Sequence, residues 1–180
     1  MRGRATKPLA ELPGEPPRTM NVDAILFALN GESTDYILIG GMNFLIRHLP
    51  ELTFDVDIWV SREEENLARL NRALRMIDAA WGPTEKEWSP VGPDWRWLLR
   101  QPVFCLTTRH GALDVFFEVR GLEGRYAECR QAAAGWTTAA GVPFASLSDQ
   151  HMLACQAALP EPERKLRRME ILRESIQRAR

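Results

Sequence analysis

Apolar residues recur along this chain with two different periods, and the two alternate from segment to segment. Ala24, Ile25, Phe27 and Ala28 share one face of a helical turn behind Asn21, a good N-cap, and predict a first helix. "DYILI" is a short continuous apolar run that reads as a buried strand, and Gly40-Gly41 breaks it. Residues 42–48 suit a short helix that Pro50 prevents from continuing. "LTFDVDIWV" returns to the strand period. Ser61 with Glu64 three residues later is a capping-box pattern. It opens a long amphipathic helix with Leu67, Leu70, Leu74 and Ile77 on one side.

The second half repeats the alternation after an irregular stretch, 81–100, punctuated by Gly82, Pro83, Pro90, Gly92 and Pro93. "VFCLTT" and "ALDVFFEV" are two strands joined by a tight turn at Arg109-His110-Gly111. A helix near 124–134, an edge strand in the following Thr/Gly/Pro-containing stretch, and helices at 147–159 and 162–178 complete the reading. The predicted class is α/β (α+β), one small mixed sheet flanked by helices. Residues 1–19 hold four prolines and no periodicity and read as a disordered leader, with Met20 an alternative start to Met1. Residues 20–145 form the core, and 146–180 a C-terminal helical extension of the same domain.

Composition narrows the field. The formal net charge is -1, so no global basic field announces nucleic acid, and any such partner needs a local patch. Cys105, Cys129 and Cys155 are too few and too scattered for a zinc site or a disulfide framework. No segment approaches the ~18 apolar residues of a membrane span, and the N-terminal arginines precede no apolar core of a signal peptide. A reduced, cytoplasmic protein is expected.

The candidate chemistry lies in the strands. Residues two apart on a strand share a face, ~6.6 Å apart along the chain. Asp55 and Asp57 therefore converge on one side of "FDVDI", while Val56 and Ile58 oppose them. In "ALDVFFEV", Asp114, Phe116 and Glu118 share a face, with Glu118 far enough along to fall outside a common shell. Neighbouring strands would bring three carboxylates together. Such a gathering is unfavourable by roughly 4 kcal/mol per pair at 4 Å in an effective dielectric of 20. A divalent cation reverses the sign, and an all-oxygen set suits magnesium. The bland alternative is a half-exposed strand with an acidic outer face, although aspartate is depleted in strands.

Gly40-Gly41, between a strand and a helix N-terminus, offers backbone N–H groups to an anion and no side chain in the way. Strand, double glycine, short helix, then Asp-x-Asp would set a phosphate cradle beside a metal pair. "LIGGMNFLIRH" followed by "LTFDVDIWV" resembles the DNA polymerase β-type nucleotidyltransferase superfamily. Within it, the pattern is similar to the AbiEii-like branch, the toxins of abortive-infection systems. Gly40, Gly41, His48, Thr53, Asp55 and Asp57 match that motif, and Asp114 matches its third acid. The resemblance covers residues 22–118 and the remainder in outline.

The resemblance implies a minimal nucleotidyltransferase core, with helices on one side of its sheet. It implies Mg2+ as two ions (or Mn2+) on Asp55, Asp57 and Asp114, and transfer of a nucleoside monophosphate from an NTP to a hydroxyl. Gly40, Gly41, Asn43 and Thr53 would meet the phosphates. The acceptor would be RNA, tRNA included, or a small molecule such as an antibiotic, and a cognate antitoxin protein is a further partner. Two departures stand out: Glu51 where relatives often carry arginine, and no lysine in "SLSDQHMLACQAAL". They leave open a catalytically silent module. Lys165 is the substitute cation for the triphosphate, or else an ordinary surface lysine. Trp88, Trp95 and Trp97, with Arg96 and Arg100, would line a cleft mouth or, more simply, anchor the loop. His48 and His110 read as structural, and His151 has no evident partner. Basic residues from Arg164 onward would touch RNA phosphates or merely solvate a helix.

Overall fold

The computed structural model describes residues 20–48, 52–82 and 87–179. The 1–19 leader, Pro50 and Glu51 lie outside the described residues. The first half runs α1 (Val22–Gly31), β1 (Tyr36–Ile39), α2 (Gly40–Arg47), β2 (Asp55–Val60), α3 (Glu64–Met76), β3 (Ala80–Trp81) and β4 (Ser89–Pro90). After a 3-10 turn at Trp95–Leu99 come β5 (Val103–Thr108), β6 (Gly111–Phe116), α4 (Tyr126–Gln131), β7 (Ala134–Thr137), β8 (Pro143–Ser146), α5 (Asp149–Ala158) and α6 (Leu166–Arg178). The mixed α/β class is as expected. Among the described residues the sheet has eight strands, in the order β4-β3-β5-β6-β2-β1-β8-β7. The stretch expected to hold one edge strand supplies the β7–β8 hairpin. β2 runs antiparallel to β1 and parallel to β6, and β8 runs parallel to β1.

The two-residue strand period decides which layer covers which face. Val56, Ile58 and Val60 point into one core with α1, α3 and Trp97. Trp59, Ile37 and Ile39 point the other way, into a second core with Phe44, Cys129, Met152 and Leu172 from α2, α4, α5 and α6. Helices on one side only, the arrangement the resemblance implied, is therefore corrected: both faces are covered. The C-terminal helices supply part of the second cover, because Leu147, Met152 and Leu172 are apolar where that face of β1 needs partners.

Two local expectations also fail. Phe27 is 69% exposed, and the buried face of α1 is Ile25, Leu26, Ala28 and Leu29. No capping box forms at Ser61. The helix begins at Glu64 behind an N-cap at Glu63, and the Ser61 hydroxyl accepts only from the Glu63 N–H, at 3.5 Å. The polar group that matters there is Asn66. Its carbonyl accepts from the Asp35 N–H at 2.6 Å, and its amide donates to the Ser61 carbonyl at 3.0 Å. Asn71 does the same for the irregular stretch, donating to the carbonyls of Gly92 and Pro93 and accepting from the Trp97 indole at 2.8 Å.

Candidate metal centre

Register brings the acids together. Asp57 of β2 stands directly opposite Asp114 of β6, and Asp55 opposite Ala112. One carboxylate oxygen from each of Asp55, Asp57 and Asp114 lies within 4.8 Å of the others, all three residues being half-buried, a group that could hold a metal ion. Burial pushes the Asp57 carboxyl up to about 7, and the neighbouring charges of Asp55 and Asp114 push the same way. The Gly41 N–H and the Arg168 guanidinium pull it down without winning. Without a cation this corner is electrostatically unfavourable, and its all-oxygen donors are those that hard divalent ions take.

On its other side Asp57 pairs with Ile39, the last residue of β1, so Gly40 stands immediately beside its carboxylate. Gly40 has φ +67°, and a Cβ there would lie 2.0 Å from Asp57 Oδ2. A Cβ on Gly41 would lie 2.7 Å from Thr53 Oγ1. The double glycine is thus required by the close approach of Asp57 and Thr53. The Gly41 N–H is already used by Asp57, which leaves other groups of the α2 first turn for an anion. Thr53 donates its hydroxyl to Asp55 Oδ1 at 3.2 Å, so it orients a carboxylate. Cys105, opposite Asp114 on β5, donates its thiol to Asp114 Oδ2 at 3.4 Å.

Asn43 is placed differently from the expectation that it would reach a phosphate. It is fully buried, and its side chain is spent on the protein. Its amide donates to the Leu147 carbonyl at 3.1 Å, and its carbonyl accepts from the Ser146 hydroxyl at 2.7 Å. Lys165 is exposed at the N-cap of α6. A cation beside the glycines is Arg168, one turn on and 8% exposed. Its Nη2 lies 3.8 Å from where a Gly41 Cβ would be, and its guanidinium stacks 5.0 Å from the Phe44 ring centroid. Sequence reasoning missed it, although Arg168 lies four residues before Leu172, on the buried stripe of the last helix.

The remaining candidates are structural. His48 Nε2 is 3.0 Å from Asp149 Oδ1, a carboxylate that also holds Arg47 at 2.8 Å. His110 sits in the β5–β6 hairpin turn, where its carbonyl accepts from the Asn21 N–H at 2.9 Å. His151 does have a partner, the Ser148 hydroxyl at 2.9 Å. Trp97 and Trp95 pack on the face opposite the acids, as loop anchors. Glu118 lies beyond β6, where its carboxylate accepts from the Gly124 N–H at 3.4 Å. The three cysteines form no disulfide with one another. No described helix is long and apolar enough to cross a membrane. Comparison with protein-family models and with curated proteins returns no match to this chain.

Proposed function

We propose that this chain is a metal-dependent nucleotidyltransferase, moving a nucleoside monophosphate from an NTP to a hydroxyl acceptor with release of pyrophosphate. The observation that carries this reading is the meeting of Asp55, Asp57 and Asp114 against the glycine corner at the start of α2. Magnesium or manganese on the three carboxylates would neutralise the triphosphate and acidify the acceptor hydroxyl. Asp55 is oriented for ligation by Thr53, and Asp57 by the Gly41 N–H. Asp114, on the neighbouring strand, orients the attacking hydroxyl. That oxygen bonds to the α-phosphorus while the bond to the bridging oxygen of the β-phosphate breaks. The leaving electron pair goes with pyrophosphate, and the hydroxyl proton passes by way of a carboxylate to solvent. Backbone N–H groups of the α2 first turn would face the phosphates.

The acceptor we favour is RNA, tRNA included, following the motif resemblance, with an antitoxin protein as a further partner. Exposed Lys165 and Arg167 on α6 offer phosphate contacts on that side. The test is incubation with each labelled NTP, magnesium, total RNA and a panel of small hydroxyl compounds. Label entering RNA, with pyrophosphate released and at least ~100-fold less transfer by Asp55→Asn, is the expected result. Label entering only a small molecule would move the acceptor class. No transfer, and no magnesium-dependent thermal stabilisation by any NTP, would overturn the reading in favour of a silent module.

A further inference from the structure

The two ends of the sheet are finished differently. β4 is two residues long and carries Pro90, which has no N–H to offer a further strand. β7, at the opposite end, has no proline and no charged residue, and all four of its residues are exposed. The devices that usually protect an edge strand are missing from it. Trp136 in its middle is 40% exposed. A groove of about 750 Å3, to which Gly135, Trp136 and Thr137 contribute, keeps the approach to this edge open.

Register shows which backbone groups of β7 are unused. Gly135 lies opposite Ala145, Trp136 opposite Phe144, and Thr137 opposite Pro143. Just beyond, the Thr138 N–H donates to the Val142 carbonyl at 3.0 Å. In an antiparallel ladder only alternate residues bond a given neighbour. Trp136 and Ala134 therefore bond β8, while Gly135 and Thr137 turn their N–H and C=O groups outward. Pro143, with no N–H of its own, suits the position opposite Thr137. Among the described residues no hydrogen bond reaches those outward groups.

We infer that β7 pairs with β7 of a second copy, antiparallel about a two-fold axis at Trp136, so that one sheet runs through both chains. In that register Gly135 of each copy exchanges both backbone bonds with the partner's Thr137. The two Trp136 residues become a directly opposed, non-hydrogen-bonded pair, the closer of the two kinds, and cover each other's exposed rings. Charge favours a second copy over a charged peptide. The guanidinium beside Trp136, that of Arg47, is held by Asp149 at 2.8 Å, and that of Arg130 by Asp35 at 2.7 Å. The seam thus meets no like-charge barrier and offers a charged strand no extra attraction. Four paired residues a side fall short of the ~800 Å2 per partner of a standard interface, so the dimer is weak and reversible. This goes beyond the nucleotidyltransferase reading and does not depend on it.

The experiment is sedimentation equilibrium of the full chain over micromolar to millimolar concentrations, for wild type and Thr137→Pro. Wild type is expected to pass from monomer to dimer. Thr137→Pro removes an outward N–H from each copy and none from the β7–β8 ladder, and its dimer should dissociate at least about tenfold more readily. Oxidative cross-linking then reads the register. Opposed Cα atoms in such a pair sit about 4.5 Å apart, within disulfide reach, so Trp136→Cys is expected to form a covalent dimer above the wild-type background. Gly135→Cys, where a Cβ meets open space, is expected not to. A wild type that stays monomeric throughout overturns the inference. So does a dimer that Thr137→Pro leaves unchanged, or one in which Trp136→Cys cross-links no more than Gly135→Cys. Should Thr137→Pro not fold, the two cysteine variants decide.

Discussion

At the scale of single residues, the site is a balance of close contacts and unfavourable charge. Asp57 has its carboxyl raised to about 7, so the folded chain favours its protonated form. Stability from this group is therefore greatest at low pH and declines as pH rises toward and through 7. Asp57→Asn removes the penalty. In metal-free buffer its unfolding free energy should exceed wild type by roughly 2–4 kcal/mol at pH 8 and by less at pH 5. Excess magnesium should abolish or reverse the difference, which urea titrations at the two pH values would read. Gly40→Ala should do the opposite, because its Cβ meets the Asp57 carboxylate and its φ is positive. We expect a loss of about 2–4 kcal/mol together with weaker manganese binding. Gly31→Ala, with open space around it, is the control and should be neutral or slightly stabilising. The acids were legible in the sequence because strand period alone puts Asp55 with Asp57. Asn43 and Arg168 were not, since whether a polar side chain faces a ligand or the protein depends on neighbours a hundred residues away.

At the scale of elements, α2 is held from its far side by the segment that leads into α5. Asn43 and Arg47 both donate to the Leu147 carbonyl, and Arg47, His48 and Ser175 converge on Asp149. Asn43→Ala would leave the Ser146 hydroxyl only its long 3.4 Å bond to the Leu147 carbonyl and would remove one of that carbonyl's donors. A loss of about 2–3 kcal/mol in chemical denaturation is expected, with weaker manganese binding as the glycine corner loosens. Element types were readable from period: the buried β1, the Leu67-to-Ile77 stripe of α3 and the existence of a tight turn between β5 and β6 all come from local pattern. Element ends were not. Ser61 and Glu64 have the right spacing for a capping box, but Ser61 lies where the β2 backbone still bonds to Asp35, so α3 starts later. The β7–β8 hairpin escaped as a pair because "AGWT" has no alternation to show, every residue of β7 being exposed.

At the scale of the whole molecule, the sheet separates two jobs. Its α1/α3 face carries the tryptophan cluster, with Trp97 stacked on Trp81 and edge-on to Phe104. The other face carries the acids and the cover made by α2, α4, α5 and α6. Trp97→Ala should cost about 3–5 kcal/mol in stability and leave manganese affinity unchanged. Leu172→Ala should cost about 2–5 kcal/mol and also weaken manganese binding, because it loosens the cover of the face that carries the acids. Isothermal titration beside thermal melts would separate the two behaviours. Neither prediction was available from the chain order, in which the residues of both faces are interleaved.

That interleaving has a consequence during synthesis. Asp55, Asp57 and Asp114 leave the ribosome well before α6, yet part of the cover of their face, Leu172 and the buried Arg168, arrives only with that helix. A nascent chain therefore owns every carboxylate of its centre before it owns a finished one. If the chain has the activity proposed for it and that activity harms the cell that makes it, nonsense mutations between α5 and α6 should be recovered among survivors as readily as changes to the aspartates themselves.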